Sequence, residues 1–370
     1  MNVLITGSDG FIAKNLILRI NSVQPKFTIL KVNRKTPFTQ LDKYVKKAEI
    51  IFHLAGENRP KKIKDYDANN RGFTESLAKS VKKNRSKAPI IFSSSTQALE
   101  SNPYGKSKLA AENILLELNK NNNVPVKIAR LCGVFGKWSK PNYNSVVSTF
   151  CYNFANGITS KINEDSKKIN LVYIDDVIDI FMRYLTVKTL NKKKYFKIKP
   201  TYAITVGKLH KTLESIASSV NNISIKGYGG GLNRKLYATY LSYLNKKDFS
   251  FKYNLHIDER GTFAEILKAG DYGQVSFFTC KPGQTRGEHF HDTKNERFFV
   301  ISGKALFKFK DPITKKVSQL TVSHMERKAV HTIPGIVHNI KNIGKSELLV
   351  ILWANEVFDK EKPDTFHYKI

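Results

Sequence analysis

Two groups of side chains in this sequence have the types and spacing to do chemistry. In residues 283–303, GQTRGEHFHDTKNERFFVISG, His289 and His291 stand two apart and Glu296 follows five later; downstream, IPGIVHNIKN adds His338. Residues two apart on a strand project to one face, so the two histidines are expected to point together. Three imidazoles and a carboxylate suit a borderline divalent metal, zinc first, with iron, nickel or manganese as alternatives. The second group lies nearer the start. PYGKSK sets Tyr104 and Lys108 four apart, on one face of a predicted helix, nine positions after Ser95 at the end of an apolar run. A lysine ammonium near a phenol lowers its pKa. The tyrosine can then exchange a proton with a sugar oxygen while hydride moves to carbon, and the serine hydroxyl can hydrogen-bond the same carbonyl.

These residues need elements to hold them. Residues 2–6 read as a short buried strand, followed by GSDGFIAKNLILRI. Gly7 and Gly10 allow a tight turn and a close approach to a pyrophosphate, and the helix carrying Phe11, Ile12, Leu16 and Ile20 aims its N-terminus at that anion. Gly7, Asp9, Gly10, Phe11 and Ile12 are therefore the expected dinucleotide contacts. The next strand, FTILKVN, ends at Asn33-Arg34-Lys35. A site that selects NAD carries an acid here for the ribose 2′-hydroxyl, whereas an arginine takes a 2′-phosphate, so Arg34 points to NADPH. A third strand over 49–54 ends in Leu54-Ala55-Gly56, where small residues leave room for the cofactor. A strand over 89–92 delivers Ser93, Ser94 and Ser95. The polar loop KPNYNS leads into a predicted helix over 146–155; its Asn142, Tyr143 and Asn144 either contact a substrate or cap the helix.

The second half changes character. QVSFFTC, RFFVISG, KALFKFK, VSQLTV and ELLVILWANEVF alternate in short runs split by turns, which is all-β barrel patterning. The change falls between Gly231 and Phe249, giving expected domains 1–245 and 246–370. A chain of 370 residues accommodates two domains. The net charge of +31 is spread over scattered lysines rather than a stripe, so nucleic acid is not an expected partner, although a basic surface attracts a diphosphate ligand. Cys132, Cys151 and Cys280 have no CxxC spacing and read as reduced thiols of a cytoplasmic protein. No apolar run is long enough to span a bilayer, and MNVLITGSDG has neither the basic head nor the cleavage site of a signal peptide; no membrane insertion is expected.

Residues 1–225 resemble the extended short-chain dehydrogenase/reductase family, which often acts on nucleotide sugars. TGSDGFIA matches its cofactor turn, HLAG its post-strand motif, Asn69 to Gly72 its N-x-x-G segment, Ser95, Tyr104 and Lys108 its catalytic triad, RLCGVFG its R-x-x-x-V-[YF]-G strand and YIDDV its late Asp-Asp motif. Ala13 replaces the third glycine, Phe73 stands where threonine is usual, and Gly133 where asparagine is frequent. The gap from Ser95 to Tyr104 is short for the family, which leaves Ser94 as an alternative to Ser95. The histidine motifs resemble those of the cupin superfamily, with Pro334 and Gly335 adjacent where many members insert a residue. DERGTF resembles a nucleotide-holding segment of cupins that epimerise keto-sugars, implying Arg260 and Glu265 as substrate contacts beside Asn144.

The order of the two halves is similar to a family of bifunctional enzymes of bacterial capsule and O-antigen synthesis. The fold this implies is a Rossmann-type parallel α/β sheet followed by an all-β cupin barrel, a double-stranded β-helix; exposed apolar edges of such a barrel and a reductase helix pair both favour a homodimer. The implied activity begins with C3 epimerisation of a UDP-linked 4-keto-6-deoxy amino sugar, a UDP-2-acetamido-2,6-dideoxy-4-ketohexose, in a barrel holding Zn2+. NADPH-dependent reduction at C4 follows, giving UDP-2-acetamido-2,6-dideoxy-L-talose on the route to UDP-N-acetyl-L-fucosamine. A single-function reductase with a structural, dimerising zinc barrel is the alternative. The epimerase base is not set by the sequence; Lys294 and His331 are candidates.

Overall fold

In the computed structural model, which describes residues 1–187, 191–225 and 227–370, the apolar runs of the first half pair as a parallel sheet. Its strands are β1 (Asn2–Thr6), β2 (Thr28–Val32), β3 (Ile50–His53), β4 (Ile90–Ser95) and β5 (Val126–Leu131). The chain then adds β6 (Gly133–Phe135), β7 (Lys168–Tyr173), β8 (Tyr195–Phe196) and β9 (Tyr202–Thr205). The large sheet runs β2-β1-β3-β4-β5-β8, and β6, β7 and β9 form a small one. Every residue of β3 and β4 is buried, as expected of parallel strands covered on both faces. One apolar cluster, with Leu77, Leu115 and Phe92, fills one side of the sheet; the other, with Leu16, Ile20 and Phe181, fills the opposite side. Truncating a fully buried ring such as Phe52 or Phe92 to alanine would cost about 3–5 kcal/mol. The chain leaves β1 for β2 on one side and returns to β3 on the other. Their carboxyl ends therefore open a crevice at this switch point.

The second half is all antiparallel: β10 (His256–Asp258), β11 (Gly261–Lys268), β12 (Gln274–Cys280), β13 (Thr285–Phe290), β14 (Glu296–Ser302), β15 (Lys304–Lys310), β16 (Val317–Ser323), β17 (Ala329–His331), β18 (Val337–Asn342), β19 (Leu348–Ala354) and β20 (Phe366–His367). Two sheets result, β10-β11-β12-β19-β14-β17 and β16-β15-β18-β13-β20. Phe278, Phe298 and Leu352 of the first pack with Phe307, Val322 and Ile340 of the second as one core. This is the cupin-like β fold expected after the parallel domain.

The chain passes between the two units three times. Met1–Glu214 and Gly231–Leu244 make the first, Ser215–Gly230 and Asn245–Ile370 the second. The expected boundary at 245 lies beside the last of these passages. Residues 215–230 belong with the barrel because Ile225 N–H donates to the Lys268 carbonyl (2.7 Å) and Lys268 N–H to that of Ile223 (2.8 Å). Helix Gly231–Leu241 belongs with the parallel sheet because its buried Lys235 pairs with Asp176 of YIDDV at 2.6 Å. Just beyond that helix, the Tyr243 hydroxyl donates to the Ser139 carbonyl.

Candidate active site and metal centre

Tyr104 opens helix Pro103–Asn122. Asn102 caps that helix, accepting from Gly105 N–H at 2.8 Å, and Pro103 occupies its first turn. The cap and the i,i+4 spacing bring Tyr104 and Lys108 to the end of β4. Ser95 ends that strand and accepts from Gln97 N–H at 3.2 Å. Burial raises the Tyr104 pKa, and a hydrogen bond with Ser95 opposes it. Lys108 is not among the groups that shift it, contrary to the expectation that the ammonium would lower the phenol. Lys108 Nζ instead donates to the Ser93 carbonyl at 2.7 Å and lies over the Phe92 ring. Burial brings its own pKa down to about 7, with Glu112 pulling the other way.

The two serine alternatives separate in space. Ser95 bonds Tyr104, whereas the Ser94 hydroxyl donates to the fully buried carboxylate of Glu112. Glu112 also holds Arg130 at 2.6 Å and the Tyr195 hydroxyl at 3.1 Å. The arginine of the RLCGVFG motif is thus engaged in a buried ion pair, and Ser94 helps satisfy its partner.

A cleft of about 860 Å³ lies over the carboxyl ends of β1, β2 and β3. Of the expected cofactor residues, Gly7, Asp9, Gly10, Arg34, Leu54, Ala55 and Gly56 line it. Phe11 and Ile12 pack against the apolar core instead. The sequence reading missed Asn33, Thr36, Ala68 and Ser76 in the lining. Arg34 is exposed and reaches Glu57, a buried carboxylate just after HLAG. Glu57 also accepts from the Tyr143 hydroxyl. Burial raises the Glu57 pKa, but Tyr143 and Arg34 outweigh it and the carboxyl lies below its ordinary value. Asn70 fixes the Glu57 backbone from both sides, accepting from its N–H (2.8 Å) and donating to its carbonyl (3.0 Å). Nothing in the local sequence around Glu57 signals this hub. Asn144 is exposed in the turn before helix Val146–Ala155.

In the barrel, His289, His291, Glu296 and His338 offer ligand atoms that all lie within 4.8 Å of one another. His289 and His338 sit opposite each other in the β13–β18 pairing, while Glu296 begins β14 in the other sheet. The local path differs from a plain strand: Glu288 has φ 66°, the register shifts there, and His291 lies just past the end of β13. Glu296 Oε2 is 3.4 Å from His291 Nε2 and 3.5 Å from His338 Nε2. Neither ring nitrogen of the buried His338 has a hydrogen-bond partner, and Nε2, 3.5 Å from Glu296, is left free to serve as a metal ligand. Burial, reinforced by the neighbouring imidazoles, brings His289 down to about 3, keeping it neutral as ligation requires. Burial raises the Glu296 pKa, yet the His291 and His338 imidazoles beside it hold it well below the carboxylate range. The donor set fits a divalent metal of the zinc type.

Arg260 pairs with Asp258 at 2.6 Å. Glu265 pairs with Lys268 at 2.8 Å and accepts from Gln274 at 3.0 Å. Both expected substrate contacts are engaged with protein neighbours. Lys294 is buried, its Nζ donating to Thr365 Oγ1 (3.0 Å) and to the Pro363 carbonyl (3.2 Å), and His331 is exposed on β17.

A glycine-turn crevice and a Ser-Tyr-Lys constellation on a parallel sheet define a nucleotide-dependent reductase or epimerase class. The chain belongs to the NAD dependent epimerase/dehydratase family, whose model matches residues 3–198; residues 256–366 match the polysaccharide biosynthesis C-terminal domain. Over 99% of its length it is 42% identical to a UDP-2-acetamido-2,6-beta-L-arabino-hexul-4-ose reductase of Pseudomonas aeruginosa, 98% of which is covered. It is also similar to the capsular polysaccharide assembling protein CapF from Staphylococcus aureus, with TM-score 0.93, 36% identity and full coverage of both chains. CapF with the inhibitor 3-isopropenyl-tropolone matches with TM-score 0.87 and 32% identity, again over both whole chains. Membership of the family brings a nicotinamide cofactor with it. No helix among the described residues is long and apolar enough to cross a membrane.

Proposed function

We propose that this chain is a bifunctional nucleotide-sugar enzyme of capsular polysaccharide synthesis. The barrel epimerises C3 of a UDP-2-acetamido-2,6-dideoxy-4-ketohexose, and the parallel-sheet unit reduces C4 with NADPH to UDP-2-acetamido-2,6-dideoxy-L-talose, in the cytoplasm and as a homodimer. The observation that carries the reading is the pairing, on one chain, of a Ser95–Tyr104–Lys108 reductase site with a three-histidine, one-carboxylate cluster. Its likeness along the whole length to a keto-sugar reductase supports the substrate class.

The chemistry suits this order. The C3 hydrogen of a 4-keto sugar is α to the carbonyl, so it can be removed and returned while the enolate is stabilised. Zn2+ held by His289, His291, Glu296 and His338 would supply positive charge for that purpose. NADPH in the crevice would supply the hydride, with Arg34 on its 2′-phosphate in place of Glu57. Ser95 orients the C4 ketone. Tyr104 donates the proton to the C4 oxygen. Lys108, its ammonium anchored on the Ser93 carbonyl, holds the nicotinamide ribose.

Keto-sugar incubated in heavy water without NADPH is expected to take deuterium at C3. Tyr104→Phe is expected to leave that exchange intact and to slow reduction about 10²–10⁴-fold. His291→Ala should abolish exchange. Reduction by the parent chain with no C3 exchange would instead mean a single-function reductase whose barrel is structural.

A further inference from the structure

The segment 363–370 wraps the metal ligands with more contacts than a surface tail requires. β20 pairs with β13, setting His367 opposite His289 and Phe366 opposite Phe290, and the two phenyl rings stack with centroids 5.3 Å apart. Tyr368 N–H donates to the Glu288 carbonyl (2.9 Å) and Ile370 N–H to its carboxylate (2.7 Å), at the residue that carries the positive φ between Gly287 and His289.

Asp364 is the centre of this arrangement. Its carboxylate accepts the backbone N–H groups of Asp292 (2.8 Å), Thr293 (2.9 Å) and Lys294 (2.7 Å), and the Thr293 hydroxyl (3.1 Å). These are the residues that carry the chain from His291 towards Glu296. Its own backbone carbonyl lies 2.5 Å from His291 Nδ1. That contact requires Nδ1 to carry the proton, which leaves Nε2, the nitrogen facing Glu296, as the lone-pair donor. Asp364 holds φ 36°, a region that a non-glycine residue occupies only when its surroundings over-determine it. Burial acts to raise its pKa, but the three N–H donors leave it well below the carboxylate range, so the clamp keeps its charge.

We propose that residues 363–370 are a clamp belonging to the divalent-metal site, with Asp364 as the positioning residue that fixes the His291 tautomer and the loop joining His291 to Glu296. The proposal rests on the metal reading above. Outer partners of this kind are worth about 10–100-fold in metal affinity.

The test uses the full chain loaded with zinc and titrated against a chromogenic chelator. Asp364→Ala, and a chain ending at Lys362, are expected to bind zinc about 10–100-fold more weakly than the parent. Lys369→Ala, exposed on the same segment, should match the parent. Because the shortened chain could fail to fold, Asp364→Asn serves as the isosteric variant, with near-ultraviolet circular dichroism to check the barrel. Zinc affinities within twofold of the parent in folded Asp364 variants would overturn the clamp. Nitrogen chemical shifts of His291 in metal-free protein give a second readout. The parent should carry its proton on Nδ1, and the Asp364 variants should show a mixture of tautomers; a parent proton on Nε2 also overturns the proposal. If the parent binds no divalent ion, the metal reading fails, and the tautomer measurement still decides the clamp.

Discussion

Lys108 is fully buried, donates to a carbonyl and faces a phenylalanine ring, and burial has brought its pKa to about 7. A lysine in that position changes charge within the working range of an enzyme. The folded group is protonated below about pH 7 and loses its proton as pH rises through that value. If the charged form holds the nicotinamide ribose, kcat/KM for reduction should fall above about pH 7, reporting the free enzyme. A profile flat to pH 9 would show that Lys108 keeps its charge or that the charge does not matter. The Tyr104–Lys108 pair was legible from sequence because both members lie within one helical turn. The direction of the electrostatics was not, because it depends on Ser93 and Phe92 as partners and on the depth of burial, and spacing carries no information about depth. Asp364 was illegible for a stronger reason: it lies some seventy residues from the loop that it organises, and its type and neighbours are those of an ordinary turn.

Helix Pro103–Asn122 reaches its place through a close approach. A Cβ at Gly105 would lie 2.1 Å from the Gln97 carbonyl oxygen and 2.7 Å from that of Glu100. The helix therefore rests directly on the turn after Ser95, and this contact sets the distance from Ser95 to Tyr104. Gly105→Ala must push the helix off that turn. Reduction is expected to fall at least tenfold through kcat, since a displacement of about 1 Å at a reacting group can cost 10²-fold, while C3 exchange in the barrel is unaffected. Equal loss in both reactions would point to global unfolding instead. A similar constraint operates in the barrel, where Gly287 at φ 103° would set a Cβ 2.7 Å from the His338 carbonyl oxygen. Period-two reasoning brought His289 and His291 to one place. It did not foresee the shifted register at Glu288, because a bulge is decided by what the neighbouring strand and the closing segment offer.

At the scale of the molecule, fold class was readable from composition and pattern: glycine-rich turns between buried runs, then short alternating runs. The threefold passage between units was not, because residues 215–230 read as the end of one helix and a flexible link, and only their pairing with Lys268 assigns them to the barrel. A fragment of residues 246–370 would leave the Lys268 N–H and carbonyl unpaired. At about 1 kcal/mol for each lost hydrogen bond, such a fragment should melt about 5–10 °C below the barrel transition of the full chain. A synthetic 215–230 peptide should restore part of the difference. Calorimetry that finds equal transitions would mean that this segment is an ornament rather than a strut.

The same interlacing bears on synthesis. On the ribosome, residues 215–230 emerge before the rest of their unit, and 231–244 return to a unit already largely made. The parallel domain is complete only at about residue 244. Gene fusions that exchange the two units at a single junction would inherit one unit with a missing part, whichever junction is chosen.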